Sequence, residues 1–230
     1  MPLIRSFLVG ALAAVPVTAA VAAAPAGVVC AAQPAAREAT ARDIAAFVRR
    51  RGMAVLTFVG YSGAGYQDEA AMRARVAEVL DRRDPATTLV NVGATAQGIG
   101  AAYELAKERG FATLGIVSVL ARDEGVALSP CVDDVFYVRD ATWGGRLPGS
   151  VRLAPTSAAI VAASGSVVGI GGGDIARDEM LAARRAGTPV RFFPADMDHR
   201  LAAEKAARKG APAPTPAELR GAAHAAFAGR

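Results

Sequence analysis

The sequence is poor in cysteine, histidine and aromatic residues. Its 230 residues include two cysteines and two histidines, and aromatic residues make up 6% of the chain. Two cysteines cannot form the disulfide framework of a small secreted domain. His199 and His224 have no acidic or cysteine partner at a metal-ligand spacing, so we expect no metal site. The absence of a P-loop and of a complete G-x-G-x-x-G fingerprint disfavours a standard NTPase or dinucleotide dehydrogenase, and we expect no cofactor.

Charged residues are also few, at 20% of the chain, and the net charge is +5. The basic residues form short clusters along helix-like stretches that also contain acids. These clusters are Arg49–Arg51, Arg82–Arg83, Arg184–Arg185 and Lys205–Lys209. We interpret them as solvated helix faces and expect no nucleic-acid partner; a nucleic-acid-binding stripe is the less favoured interpretation. A small anionic ligand agrees equally well with the positive balance.

Residues 1–32 have the pattern of an export signal rather than of a folded domain. Arg5 supplies the positive start, the stretch Phe7–Ala24 is apolar, and Ala22–Ala24 offers a small-residue cleavage site. Pro16 and the many small side chains argue against a stable membrane-spanning helix. We therefore predict a signal peptide at residues 1–32 and an exported protein, periplasmic or secreted.

Two alternatives to export stay open. Cys30 suggests lipid anchoring, although Val29 is not the small residue that should precede a lipidated cysteine. Met53 stands just before the first apolar run, so a start at that residue would leave a complete cytoplasmic domain. A disulfide between Cys30 and Cys131 is possible only if cleavage falls before residue 30.

Apolar runs of strand length alternate with helix-like segments along most of the chain. The runs are Ala54–Val59, Thr88–Val92, Thr113–Val119, Val135–Val138, Ser166–Ile170 and Thr188–Phe193. Continuously apolar strands that alternate with helices predict a parallel sheet covered on both faces. We predict a Rossmann-like, doubly wound, three-layer α/β/α domain over residues 37–209 with its core at 53–195. A linker and a short C-terminal helix follow at 210–230.

Glycines cluster after three of these runs, at residues 60–65, 93–100 and 171–173, and each cluster precedes a helix. In a parallel sheet such loops meet at one edge, where helix N-termini favour an anion. We therefore predict a small phosphate-containing ligand, a nucleotide or a sugar phosphate. The candidate ligand-binding residues are Gly60, Ser62, Gly63, Gly93, Thr95, Gly98, Gly171, Gly172, Gly173 and Asp174. Turn or helix capping is the alternative role of Ser62, Thr95 and Asp174.

The three loops resemble those of the LOG/SLOG group, Rossmann-like proteins related to cytokinin-activating phosphoribohydrolases. The matching segments are Gly60–Gly63, Asn91–Gly100 and Gly171–Glu179, and the last is similar to the group's P-G-G-x-G-T-x-x-E signature. The resemblance implies a homodimer, a nucleotide or nucleoside-phosphate ligand and hydrolysis of an N-glycosidic bond. Glu179 takes the position of the catalytic acidic residue.

The sequence departs from that signature at several positions. Ile175 replaces the third glycine, Ala176 replaces the threonine, and Thr156 stands where the enzymes have an arginine, with Arg152 four residues earlier. A non-catalytic nucleotide sensor and a scaffold module of the cell envelope are therefore alternative functions. The alternative role of Glu179 is that of an acidic residue favoured near a helix N-terminus.

Overall fold

The computed structural model describes Cys30 and residues 34–229, so the predicted signal peptide lies outside the described residues except for Cys30. The strands of the described part are β1 (Ala35–Glu38), β2 (Ala54–Gly60), β3 (Thr88–Asn91), β4 (Ala112–Ser118), β5 (Asp134–Val138), β6 (Ser166–Ile170) and β7 (Val190–Phe193). The helices are α1 (Ala41–Arg51), α2 (Glu69–Leu80), α3 (Ala101–Glu108), α4 (Leu120–Asp123), α5 (Pro155–Ala163), α6 (Asp174–Arg185), α7 (His199–Arg208) and α8 (Pro216–Phe227).

All seven strands form one parallel sheet in the order β1-β5-β4-β3-β2-β6-β7. Helices α1, α5 and α6 pack side by side on one face, and α2 and α3 pack together on the other. The predicted Rossmann-like, doubly wound α/β architecture is therefore confirmed.

The core has two sides because successive side chains of a strand point to opposite faces of the sheet. Leu56 of β2 belongs to the buried cluster under α2 and α3. Its neighbour Val55 belongs to the cluster under α1 and α5, together with Ile44 and Ile160. Both strand residues are buried, which explains why the strands are apolar without alternation.

The chain enters the sheet through a strand that the sequence pattern did not reveal. Helical spacing predicts one helix over residues 37–51, but Ala35–Glu38 forms edge strand β1 beside β5. Helix α1 begins only at Ala41, because Thr40 and Asp43 form a capping box. The Thr40 N–H donates to Asp43 Oδ2 at 2.9 Å, and the Asp43 N–H donates to Thr40 Oγ1 at 3.3 Å.

A disulfide joins Cys30 to Cys131, with the two Cα atoms 4.5 Å apart. Cys131 is buried just before β5, and its carbonyl oxygen accepts a hydrogen bond of 2.7 Å from Thr113 Oγ1. The bond links positions 101 residues apart, so it attaches Cys30 to the core of the domain.

The C-terminal helix packs on the domain. Helix α8 is interrupted at Gly221, whose φ is 70° and ψ 169°. Beyond this break, Ala223 and Phe227 are buried against α6. The Phe227 ring lies 5.7 Å from that of Phe192 on β7.

Within the described part of the chain, no helix combines the length and the apolar character that crossing a bilayer requires.

Candidate functional site

The topology of the sheet creates a crevice between β2 and β6. From β2 the chain continues to β3 on one side, whereas from β6 it continues to β7 on the other side. The two strands are neighbours, with Gly60 paired with Ile170 at their carboxyl ends. In open parallel sheets such a switch point is where ligands bind. The loops that leave β2 and β6 therefore flank the expected ligand position.

A cavity of about 450 Å³ opens at this edge of the sheet. It is lined by the loops after β2 and β3, by the end of β4, and by residues of α5 and α6. Predicted site residues in the lining are Gly60, Ser62, Gly63, Gly93, Thr95 and Glu179. Its other lining residues include Gln97, Ile116, Val126, Leu128, Trp143, Thr156, Ile160, Ile175 and Ala176. The structure thus brings two of the three glycine loops to one cavity with Glu179.

The third glycine loop, residues 171–173, lies beside the cavity rather than in its lining. Gly172 accepts the Ala223 N–H at its carbonyl oxygen, over 3.0 Å. The hydroxyl of Tyr61, in the loop after β2, donates to the carbonyl oxygen of Arg220 at 2.7 Å. Gly171 and Gly172 are buried beneath α8. This helix therefore covers the loop from outside the cavity.

The remaining predicted residues have local roles in the structure. Gly98 packs against the loop after β2, and a Cβ there would lie 2.5 Å from the Ser62 carbonyl oxygen. The Asp174 side chain is 77% exposed and pairs with Arg177 at 2.6 Å. Gly173 is the N-cap of α6. A ligand contact at Gly98, Gly171, Gly172, Gly173 or Asp174 stays a prediction.

Two buried tyrosines hold the two lining loops, and sequence analysis did not identify either. Tyr66 accepts the Tyr61 N–H at 3.0 Å and donates to the Ile170 carbonyl oxygen at 2.8 Å. These bonds connect the loop after β2 to β6. Burial raises the pKa of the Tyr66 hydroxyl, so the hydroxyl stays protonated and serves as a structural donor.

Tyr103 of α3 holds the loop after β3 by hydrogen bonds to its backbone. Its hydroxyl accepts the N–H groups of Val92 and Ala94, at 2.9 and 3.0 Å, and donates to the Leu114 carbonyl oxygen at 2.8 Å. Burial raises the pKa of Tyr103 as well. Ala94 has a φ of 61°, a conformation that residues with a Cβ rarely adopt. The hydroxyl thus holds a strained turn at the edge of the cavity.

Glu179 lies in the cavity wall, on the second turn of α6. Its Oε1 accepts a hydrogen bond of 2.6 Å from the Ser157 hydroxyl, which in turn accepts the Gly145 N–H at 2.7 Å. Burial raises the pKa of Glu179 to about 7; the charge of Asp178 adds to this rise, and the Ser157 hydrogen bond opposes it. A carboxyl group with this pKa can donate or accept a proton near neutral pH.

Glu179 is the sole ionisable side chain among the described residues that line the cavity. The resemblance implies an arginine at position 156, where Thr156 now lines the wall, and Arg152 is exposed outside the lining. Arg146 and Arg177 lie in a neighbouring surface groove, where both contact Asp178 Oδ1, at 3.4 and 2.9 Å. No guanidinium therefore lines the cavity to balance a bound anion.

The first turn of α6 adds unpaired backbone N–H groups to the polar side chains of the cavity. Gly173 provides no side-chain cap, and Ile175 and Ala176 of the first turn line the cavity. The first N–H groups of a helix have no intrahelical acceptor and carry the positive end of the helix dipole. An anion at this end of the cavity is therefore favoured by peptide dipoles.

No group of three or more potential metal-ligating residues is present in the part of the chain that the structure describes. His199 pairs with Asp196 at 3.3 Å on the surface, away from the cavity lining.

No protein-family model and no curated protein matches the chain. Among solved structures it is similar to the structural-genomics target TM1055, with 21% identity and a TM-score of 0.45 over 60% of this chain and 72% of that chain. It is also similar to the molybdenum cofactor carrier protein from Chlamydomonas reinhardtii, with 17% identity and a TM-score of 0.44 over 61% of this chain and 76% of that one. These likenesses concern the fold alone. The Rossmann-like architecture predicted from the sequence is confirmed by the order of the sheet itself.

Proposed function

We propose that the chain binds a nucleoside 5′-phosphate or a related sugar phosphate in the cavity at the β2–β6 switch point. One observation carries the proposal: the wall of this cavity contains a buried carboxyl group, that of Glu179, fixed by Ser157 at 2.6 Å. Strongly shifted carboxyl groups in clefts are concentrated at functional sites. The loops after β2 and β3 supply the remaining polar wall.

In this proposal the phosphate lies at the first turn of α6, beside Ser62 and Gly63. Backbone N–H groups and the helix dipole hold it, as at other helix N-termini that bind phosphate. The apolar lining, with Ile116, Leu128 and Trp143, accommodates the rest of the ligand. Trp143 is 43% exposed and offers a flat face for stacking against a base.

We further propose that Glu179 promotes hydrolysis of the N-glycosidic bond. Water adds to C1′ while the bond from C1′ to the base nitrogen breaks and its electron pair stays on the base. Glu179 accepts a proton from the water and delivers one to the base, so the products are the ribose phosphate and the neutral base. A pKa of about 7 suits this exchange, because both protonation states are populated at neutral pH.

A second candidate function is non-catalytic binding, as in a nucleotide sensor. The observation that favours it is the lining of the cavity, which contains Thr156 at the position of the enzymes' arginine and no cationic side chain among the described residues. Ile175 and Ala176 likewise replace the glycine and the threonine of the enzymes' signature. The replacements at positions 156 and 176 remove a guanidinium and a hydroxyl group that could stabilise charge in a reaction, and none of the three replacements closes the cavity.

Thermal denaturation with a panel of nucleotides and sugar phosphates, followed by product analysis with AMP, tests both functions. We expect at least one member to raise the Tm by about 5–10 °C at roughly 100 times its Kd. Release of adenine by the wild type but not by Glu179→Gln supports the hydrolase. Binding without release supports the sensor. No stabilisation by any member of the panel would contradict the proposal.

Export and self-association are separate proposals. The Cys30–Cys131 disulfide supports export with cleavage before residue 30 rather than at residue 32, because such bonds persist in oxidising compartments and this one requires that Cys30 stays on the chain. Intact-mass analysis of the protein purified from its native host tests this: a chain that starts at Met1 or Met53 contradicts export. The homodimer implied by the resemblance stays a prediction, which light scattering of the purified protein checks.

A further inference from the structure

Ser157 connects the Glu179 carboxyl group to the loop that carries Trp143. This loop, residues 139–154, joins β5 to α5 and is called the tryptophan loop below. Ser157 is fully buried on α5. Its hydroxyl donates to Glu179 Oε1 at 2.6 Å and accepts the Gly145 N–H of the loop at 2.7 Å. One buried side chain thus contacts both α6 and the tryptophan loop.

The directions of these two hydrogen bonds determine where Glu179 carries its proton. The Gly145 N–H can only donate, so the Ser157 hydroxyl is the acceptor in that bond and keeps one proton to give. Glu179 Oε1 is the acceptor for that proton, and leaving a buried hydroxyl proton unpaired would cost free energy. Oε1 is therefore an acceptor whether Glu179 is charged or neutral. In the neutral form the proton lies on Oε2, which has no hydrogen-bond partner among the described residues.

Two glycines allow the backbone of the tryptophan loop to reach Ser157. Gly144 and Gly145 have φ values of 113° and 77°, a region that residues with a Cβ rarely adopt. A Cβ at Gly144 would lie 2.7 Å from Ser157 Oγ. The Gly145 carbonyl oxygen accepts the Ala154 N–H at 2.8 Å, which closes the base of the loop. Both backbone groups of Gly145 are thus paired.

Trp143 is held from both sides within this loop. On one side, Thr142 donates its N–H and its hydroxyl to Asp140 Oδ1, at 2.9 and 2.8 Å. On the other side, Gly145 is bonded to Ser157. Trp143 itself is 43% exposed and lines the cavity, as Glu179 does. The position of the indole therefore depends on the bond to Ser157.

We propose that Ser157 is a positioning residue, which confines the exchangeable proton of Glu179 to Oε2 and couples the ionisation of Glu179 to Trp143. The proposal rests on the proposed function, because it specifies which oxygen of that carboxyl group exchanges a proton. When Glu179 is ionised, the bond from Ser157 becomes charge-assisted and therefore stronger. The bond from the Gly145 N–H strengthens with it, because hydrogen bonds in a chain polarise one another. The tryptophan loop is then held more tightly.

Few other charged groups face Glu179. Helix α5 and strand β6, which pack against α6, contain no ionisable residue. On α6, Asp178 lies beside Glu179 and pairs with Arg146 and Arg177. The other charged or titratable residues of α6, of the tryptophan loop, and of β7 and α8, which also pack against α6, are Asp174, Arg184, Arg185, Arg139, Asp140, Arg152, Arg191, Glu218, Arg220 and His224. Besides burial, the charge that raises the pKa of Glu179 is that of Asp178.

Tryptophan fluorescence tests the proposal, because Trp143 is the single tryptophan of the chain. The emission of the ligand-free protein is followed from about pH 5 to about pH 9. In the wild type we expect a transition with its midpoint near the Glu179 pKa of about 7, and no such transition in Glu179→Gln. In Ser157→Ala we expect a much smaller amplitude, because the connection to the loop is lost.

The midpoint gives a second result from the same titration. Burial raises the pKa of Glu179, and the hydrogen bond from Ser157 opposes this rise. Ser157→Ala removes that bond, so the remaining transition should move upward by about one pH unit. A residue that only fills space would not change the midpoint in this way.

Ser164→Ala is the matched control. Ser164 is a buried serine at the other end of α5. Its hydroxyl donates to the Ile160 carbonyl oxygen at 2.7 Å and pairs with Thr57, so the change removes a buried hydroxyl without touching Glu179. We expect Ser164→Ala to titrate as the wild type does.

Gly144→Ala tests the connection with Ser157 in place, and it serves if Ser157→Ala does not fold. The new Cβ would displace the loop from Ser157, whereas the bond from Ser157 to Glu179 remains. We therefore expect a smaller amplitude with an unchanged midpoint. Gly149→Ala is its control, because Gly149 also has a positive φ but meets open space.

Two results would overturn the proposal. One is a wild-type transition that persists in Glu179→Gln, or that is the same in Ser157→Ala. The other is an equal effect of Ser157→Ala and Ser164→Ala, which would indicate a general loosening of α5.

These titrations use no nucleotide, so they fail separately from the proposed function. If AMP binds and Ser157→Ala titrates as the wild type does, the nucleotide site stands and the role of Ser157 falls. If no nucleotide binds and the titrations agree with expectation, the coupling through Ser157 stands and the nucleotide site falls.

Discussion

Replacing Glu179 by glutamine should make the protein more stable at neutral and alkaline pH. The carboxyl group is fully buried, its pKa is raised to about 7 by burial, and its one hydrogen bond comes from the Ser157 hydroxyl. Glutamine has nearly the same shape, carries no charge at any pH, and still accepts that hydrogen bond through its amide oxygen. The change therefore removes the ionisation and little else.

The sign and size of the effect follow from the two pKa values. Because the folded-state pKa lies above the ordinary value of 4.5, the folded protein binds more protons between the two values. The contribution of Glu179 to the free energy of unfolding is therefore greatest below pH 4.5 and falls as the pH rises to about 7. A shift of this size corresponds to roughly 3 kcal/mol of lost stability.

Urea denaturation of the wild type and of Glu179→Gln, at a series of pH values from about 4.5 to about 8.5, measures this effect. The difference in unfolding free energy between the two proteins cancels the titration of other groups. We expect this difference to grow with pH by roughly 3 kcal/mol, and then to level off above pH 7. In thermal denaturation it corresponds to about 6–12 °C in Tm.

Glu204→Gln is the matched control, because Glu204 is an exposed glutamate whose side chain pairs with Arg200 on the surface of α7. Its stability difference from the wild type should change little with pH. A difference for Glu179→Gln that is equally flat would refute the reasoning, since Glu179 would then ionise as an ordinary glutamate. It would also remove the main support for proton transfer by this residue.

Two further predictions concern the parts that hold the loops in place. Gly221→Ala should lower the Tm more than Gly210→Ala. Both glycines have a positive φ, but a Cβ at Gly221 would lie 2.5 Å from the Gly172 carbonyl oxygen, whereas a Cβ at Gly210 would meet open space. Equal losses of Tm in thermal denaturation would contradict docking of α8 on the loop that contains Gly172. Reducing the Cys30–Cys131 disulfide, which closes a loop of 101 residues, should lower the unfolding free energy by about 2–4 kcal/mol. The reductant should have no effect on Cys131→Ser, and equal urea midpoints of oxidised and reduced wild type would sink the prediction.

The sheet could be predicted from the sequence because its central strands are short, continuously apolar and separated by helical patterns. β2 and β6 are examples, with bounds within one residue of the predicted runs. β1 could not be predicted in this way. All its residues are exposed, so no apolar pattern marks it, and Arg37 and Glu38 give it the charge expected of an edge strand. Its backbone pairing with β5 depends on residues about 100 positions away.

The site was predictable only in part, for a similar reason. Glycines after strands indicated the edge of the sheet and the loops at Gly60 and Gly93 that line the cavity. The hydroxyl of Tyr66, however, bonds to a carbonyl oxygen 104 residues away, and no local spacing indicates such a bond. The same holds for α8, which covers Gly172 from beyond the predicted linker. Long-range contacts thus decide which glycine loop faces the cavity.

The small number of charged groups in the cavity limits which ligands it can bind. Glu179 is the single ionisable group in the described lining. The negative charge of the proposed phosphate is therefore balanced by peptide dipoles alone, which contribute less than a guanidinium fork. A ligand with several phosphates would bring more charge than these dipoles offset. In the proposed function, discrimination between ligands then depends on the neutral polar groups of the lining, such as Ser62, Thr95 and Gln97.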